Sequence, residues 1–213
     1  MQETEGVIKY KLHHTLKPLN NALDLTELNV WRSLLYQLEL IGQRPERYLG
    51  YAYGNISQRI KGEQFIISGT QTSGFSQLSA EHYCMVTKVH LSHNSLQATG
   101  LCKPSSEALT HASVYAQNSA ISCVIHAHNA DIWHATQALA LACIAPDVSY
   151  GTPAMAQAVT QLFQSDKLNK QPIFTMLGHE DGVITFGKDF PEAAFAMINT
   201  LAKARQLTTT TLK

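Results

Sequence analysis

Between residues 24 and 43 the apolar side chains Leu28, Trp31, Leu34, Leu35 and Leu38 recur every three or four positions. That period predicts an amphipathic helix, with Thr26 suited to cap its start and Gly42 to end it. The pattern then shortens. YAYGNISQRI (51–60) alternates, GEQFIIS (62–68) is rich in β-formers, and the polar turn SGTQTSGFSQLS (68–79) leads into YCMVTKVHLS (83–92), which together predict strands joined by long loops. Helical spacing returns over 105–119, where Pro104 and Ser105 begin a run that places Ala108, Ala112 and Tyr115 on one stripe.

ISCVIHAH (121–128) is a short β-branched run ending in histidines, followed by a helical segment at 131–142 and a strand near 143–146. Met155, Ala158, Val159, Leu162 and Phe163 make 153–163 helical, and PIFTMLG and GVITFG are strands flanking the polar turn His179, Glu180, Asp181, Gly182. A last helix spans 191–205, with Pro191 in its first turn. Helices on both flanks of strands and hairpins predict an α/β fold, a three-layer α/β/α domain with a mixed, largely antiparallel central sheet. One domain covers 1–213, with 1–22 as an N-terminal extension and 207–213 as a flexible tail. No GxGxxG follows a strand and no GxxxxGK[ST] occurs, so the usual nucleotide cradles are absent from the sequence.

Hydrophobic residues make up 45% of the chain and charged residues 15%, which leaves few charges to cover a surface and favours a homo-oligomer. Lysine plus arginine equals aspartate plus glutamate at 16 each, so no net field draws in nucleic acid or an acidic membrane surface. A small-molecule substrate is the better expectation. The four cysteines are widely and unevenly spaced, unlike a zinc ribbon or redox pair, and read as reduced thiols. The opening residues carry acids and no apolar run, so the expected location is cytoplasmic.

In His126-Ala127-His128 the imidazoles are two residues apart, which on a strand turns both to one face. Zinc accepts nitrogen ligands, and a catalytic site uses three protein ligands with one position left open. His179, in its polar turn, is the natural third donor, with His134 and His111 as competitors. Paired histidines are also common at polar strand ends, so HAH alone does not decide the matter. Glu107 follows Pro104-Ser105-Ser106 at a helix start, where unpaired N–H groups and the helix dipole favour an anion. SSE fits an ordinary capping element equally well, with Ser105 as cap.

GNIS (54–57), the SGTQTSG turn, KPSSE (103–107), IHAH (125–128), APDVSYGT (145–152) and LGHEDGVITFG (177–187) together resemble the class II aldolase/adducin family, in order over about 29–187. The resemblance implies a zinc-dependent α/β/α domain, commonly a tetramer with its site at a subunit interface, acting on a carbohydrate or sugar phosphate. It implies the metal ligands His126, His128, His179 and Glu107, with Glu107 also the acid/base, and an enediolate stabilised by the ion, either zinc or another divalent transition metal. Phosphate contacts map to Asn55, Ser68, Gly69, Thr70, Ser105 and Ser106, with Gln71 and Thr72 interchangeable candidates in the turn.

Two departures from the family pattern matter. Where the sugar-phosphate aldolases carry a proton-donating tyrosine, this chain has Asp147, as the related epimerases do, and Asp147 also suits a plain turn after Pro146. Tyr150 is near enough to serve as the donor instead. The C-terminal tyrosine of the related enzymes is missing. An aldolase is the leading expectation, an epimerase or dehydratase the second, and a non-catalytic adducin-like protein the third.

Overall fold

The computed structural model describes residues 6–211. Among these, nine strands form one sheet: β1 (Lys11–Leu16), β4 (Asn55–Lys61), β5 (Gln64–Ser68), β6 (Tyr83–His90), β7 (Ser95–Gly100), β8 (Cys123–His128), β9 (Ala142–Ile144), β10 (Ile173–Met176) and β11 (Gly182–Gly187). Their spatial order is β1-β7-β6-β5-β4-β8-β11-β10-β9. The β1/β7 and β9/β10 pairs at the two edges are parallel and every other pair is antiparallel. A small hairpin of β2 (Gly42–Gln43) and β3 (Ala52–Tyr53) stands apart.

Helices cover both faces. α1 (Thr26–Gln37), α3 (Ala130–His134) and α6 (Phe190–Thr211) bury Leu28, Ile132, Met197 and Leu201 in one apolar cluster. α2 (Ala108–Tyr115) and α4 (Pro153–Phe163) bury Leu109, Val114, Met155 and Val159 in the other, with the short α5 (Lys167–Lys170) beyond. Strand alternation sorts side chains between the two: Cys123, Ile125 and Ala127 join the first cluster and Val124 the second. His126 and His128 therefore face the α2 side. None of the helices among the described residues is long and apolar enough to cross a membrane. All four cysteines are free thiols.

Several boundaries differ from expectation. The predicted N-terminal extension contains β1, paired with β7 from Lys11 opposite Ser95 to Leu16 opposite Gly100; as an edge strand exposed along much of its length, it lacks apolar alternation. α1 starts at Thr26, so Leu25 and not Thr26 holds the cap position, and the Asp24 carboxylate accepts the Thr26 N–H at 2.9 Å. The helix ends at Gln37, and Gly42 belongs to the hairpin. α2 is half the predicted run and buried on all sides, so its stripe is no guide to its length. The segment after Ile132 breaks into turns beyond His134. α6 continues through the threonines expected to fray, where the hydroxyls of Thr208 and Thr209 donate to the carbonyls of Ala204 and Arg205.

Candidate metal centre

β8 lies between β4 and β11, and its register places Asn55 opposite His126 on one side and Gly182 opposite His128 on the other. His126 and His128 thus point from the middle of the sheet toward the start of α2. His179 arrives from the turn between β10 and β11; its N–H donates to the Met176 carbonyl at 3.0 Å while its own carbonyl accepts from Gly182. Glycines on either side make this turn possible. A Cβ on Gly182 would stand 2.7 Å from the His179 ring, and one on Gly178 would stand 2.7 Å from the carbonyls of Pro146 and Val148.

The three imidazoles converge. Their ring centres are 4.9 Å apart for His126 and His128, 5.3 Å for His126 and His179, and 4.7 Å for His128 and His179. One nitrogen from each falls within 4.8 Å of the other two. The Nε2 atoms of His126 and His128 are 3.1 Å apart, close to the ~3.3 Å edge of a tetrahedron built on zinc–nitrogen bonds of about 2.0–2.1 Å. His126 Nδ1 donates to the Val183 carbonyl at 3.2 Å, which fixes the tautomer and leaves Nε2 with its lone pair directed at the common point. The donor set fits a divalent transition metal.

Burial holds His126 and His128 well below the ordinary histidine range, reinforced by the neighbouring His179. Both are therefore neutral, the form a metal requires. Depressed folded-state values mean that the unfolded chain binds the extra protons below about pH 6.5. The stability that follows from keeping these two histidines neutral is thus fully present above that pH in metal-free protein and is lost as pH falls, by up to about 1.4 kcal/mol per unit for each. Thermal melts of chelated protein between about pH 7.5 and 5 check this; a flat profile overturns it.

Glu107 occupies the position just before α2 without capping it through its side chain, and its own N–H donates to the Ser105 hydroxyl at 3.2 Å. Its carboxylate is buried and lies 3.8 Å from His179 Nε2, beside the three-histidine group. Tyr150 is also buried, its ring centre 4.7 Å from that of His179 and its hydroxyl donating to the Val7 carbonyl at 3.2 Å. Asp147 is different. It is exposed on the loop packed against Gly178, and among the described residues no contact joins it to the histidines.

Neither competitor for the third ligand is in place. His134 is exposed on α3 beside Trp133. His111 is fully buried on α2 with Nδ1 2.7 Å from the Ser57 hydroxyl, which is itself 2.7 Å from the Tyr115 hydroxyl. Burial alone lowers His111 to about 3.

The expected phosphate residues are brought together only in part. Asn55 neighbours His126 by register, and its buried Oδ1 has no hydrogen-bond partner among the described residues. Ser105 and Ser106 are buried next to Glu107. The amides of Gly69 and Thr70 are committed to the carbonyls of His82 and Lys103 at 2.8 and 3.0 Å, so they are closed to an anion. A Cβ on Gly69 would stand 2.5 Å from the Cys102 sulfur, which accounts for the glycine by packing. The Ser68 hydroxyl accepts from the Ile56 N–H at 3.2 Å. Gln71 spans to Ala52 with both ends of its side-chain amide.

Sequence reasoning missed the wall beside His128. The Tyr48 and Tyr53 ring centres lie 4.6 and 5.7 Å from it, and Arg47 sits over both tyrosine rings. Aromatic enrichment in YLGYAY is a signal of sorts, though nothing in its spacing points toward a residue so distant in the chain.

Fold and site together define an α/β domain with a buried group of three histidines that could hold a metal ion, flanked by a carboxylate. Residues 46–207 match the Class II Aldolase and Adducin N-terminal domain, and the chain belongs to that family. Among solved structures it is similar to L-fuculose-1-phosphate aldolase from Thermus thermophilus, at 20% identity over 86% of this chain and 92% of that one, with a TM-score of 0.63. It is similar also to a sugar-phosphate aldolase from Thermotoga maritima, at 16% identity over 87% and 93% of the two chains and a TM-score of 0.64. An aldolase II superfamily protein from Pseudomonas syringae shares 13% identity over 92% and 80%, with a TM-score of 0.59. Among curated proteins nothing matches the chain.

Proposed function

We propose that this chain is a metal-dependent lyase of the class II aldolase type, with zinc as its metal and a hydroxy-carbonyl compound, a sugar phosphate, as its substrate. The observation that carries this reading is the convergence of His126, His128 and His179 with Glu107 beside them. A divalent ion bound there supplies a Lewis acid for the substrate carbonyl oxygen. Glu107 takes the proton of the hydroxyl next to the bond that breaks, and its burial keeps water from competing. Tyr150, beside His179, is the better placed donor for the carbon released, ahead of the exposed Asp147. Asn55, Ser105 and Ser106 would receive the phosphate, with Ser68 shaping the pocket from behind.

A second reading, an epimerase or dehydratase, is favoured by Asp147, whose loop packs directly on Gly178 next to His179. A non-catalytic adducin-like role is disfavoured because three histidines and a glutamate lie together where such a role would need none of them. The exposed apolar side chains Val30 and Leu34 on α1 and Leu38 just after it, with Phe195 on α6, fit a homo-oligomer, a tetramer on the family resemblance. Four free thiols suit a cytoplasmic setting.

Purified protein is expected to hold about one equivalent of zinc or a related divalent metal per chain by plasma emission, and to melt at a lower temperature after EDTA treatment. Absence of metal together with an EDTA-insensitive melt ends the enzymatic readings at once. Aldehyde release from a panel of phosphorylated ketoses separates cleavage from epimerisation.

A further inference from the structure

Tyr48 touches two parts of the metal centre that the chain supplies from separate places. Its ring packs edge-on against His128, centre to centre 4.6 Å, at the end of β8. Its hydroxyl donates to Asp181 Oδ2 at 2.7 Å, 133 residues away and two residues beyond His179. Arg47 donates to the same hydroxyl at 2.7 Å and lies 3.9 Å from Asp181. Arg47 also reaches the Tyr53 hydroxyl at 3.3 Å, and the Tyr53 ring packs on Tyr48. The Asp181 carbonyl accepts from the Asn129 N–H at 2.8 Å, so the turn holding His179 and the end of β8 are joined by backbone as well.

The backbone adopts an unusual conformation at both ends of this bridge. Tyr48, Leu49 and Asp181 have φ of 48°, 57° and 59°, a left-handed region costly for residues with a Cβ. Such conformations persist where the surroundings over-determine them, and the Tyr48–Asp181 bond joins two of these positions directly. A bridge of this kind fixes the plane of one imidazole and the position of another before any ion arrives. Outer groups that orient ligands in this way are worth about 10–100-fold in metal affinity.

We propose that Tyr48 is a positioning residue of the metal centre, locking His128 and the turn that carries His179 into one arrangement through Asp181. The inference rests on the reading that the three histidines hold the metal. It does not depend on which reaction follows.

The test measures zinc affinity of the full chain by competition with a chromophoric chelator, and the visible spectrum of the cobalt(II)-loaded protein. Tyr48→Phe keeps the ring and removes the bond to Asp181; it is expected to weaken zinc binding about 10-fold and to alter the intensity of the cobalt bands. Tyr48→Leu removes the ring as well and is expected to approach a loss of about 100-fold, the upper end of that range. Should the leucine variant not fold, Tyr48→Phe carries the test, since ring and volume are retained. Measured beside Asp181→Ala, the double variant Tyr48→Phe/Asp181→Ala is expected to lose little more than Asp181→Ala alone, because either change breaks the Tyr48–Asp181 bond. Unchanged affinity and a superimposable cobalt spectrum in Tyr48→Phe overturn the proposal, as do losses that simply multiply in the double variant. If the unaltered protein binds neither zinc nor cobalt, the failure belongs to the metal reading itself.

Discussion

His126→Ala is expected to yield protein with almost no bound metal and no measurable turnover. The substitution takes away the nitrogen 3.1 Å from His128 Nε2 and the ring anchored to the Val183 carbonyl. Zinc in a protein site is held by roughly 10–16 kcal/mol, and losing one of three protein ligands removes something near a third of that. At about 1.4 kcal/mol per decade the loss is on the order of 1,000-fold in affinity, enough to leave the purified variant empty. Plasma emission on the variant and the parent, purified side by side, checks this. The metal-free variant also has one buried histidine fewer to charge, so its melting temperature falls less steeply with acid than that of the chelated parent. A variant that retained its metal would remove His126 from the ligand set.

Glu107→Gln should behave in the opposite manner, keeping most of its metal and losing its rate. The amide is close to isosteric, the three imidazoles are untouched, and the carboxylate stands beside their cluster, 3.8 Å from His179 Nε2. What disappears is the ability to take up and return a proton, worth on the order of 100-fold or more in turnover. The two measurements needed are metal content and kcat on whichever phosphorylated ketose the parent cleaves. Equal turnover would strip Glu107 of the role assigned to it, and loss of metal alongside rate would make it a ligand first.

Elements with a strong period are readable from sequence because burial imposes that period. The apolar spacing predicts α4 over 153–163, and the helix spans Pro153–Phe163, since its apolar face lies on a sheet and its other face meets water. Alternation alone places the HAH pair on one strand face. His179 stands out in the sequence as the histidine of a polar turn between two strands, but a turn rule sends such side chains out of the core, whereas His179 folds inward and is buried. α2 gives a misleading length because burial on all sides erases the polar face that marks a helix end. β1 escapes because an edge strand such as KLHHTL meets solvent along much of its length and needs little apolar alternation. Tyr48 and Asp181 cannot be paired by any local rule, since their bond joins positions 133 residues apart. The glycine at 69 looks like a ligand cradle, whereas the Cys102 sulfur already demands it.

The register of β8 between β4 and β11 decides which face of the sheet carries His126 and His128. Slipping that strand by a single residue would carry both of its imidazoles through the sheet and bury them among the side chains of α1 and α6. No fragment of the chain holds a complete binding point, because its parts come from the sheet centre, a distant hairpin and the mouth of a helix. The three histidines therefore come together only when β8, β11 and the turn before β11 have settled into this alignment.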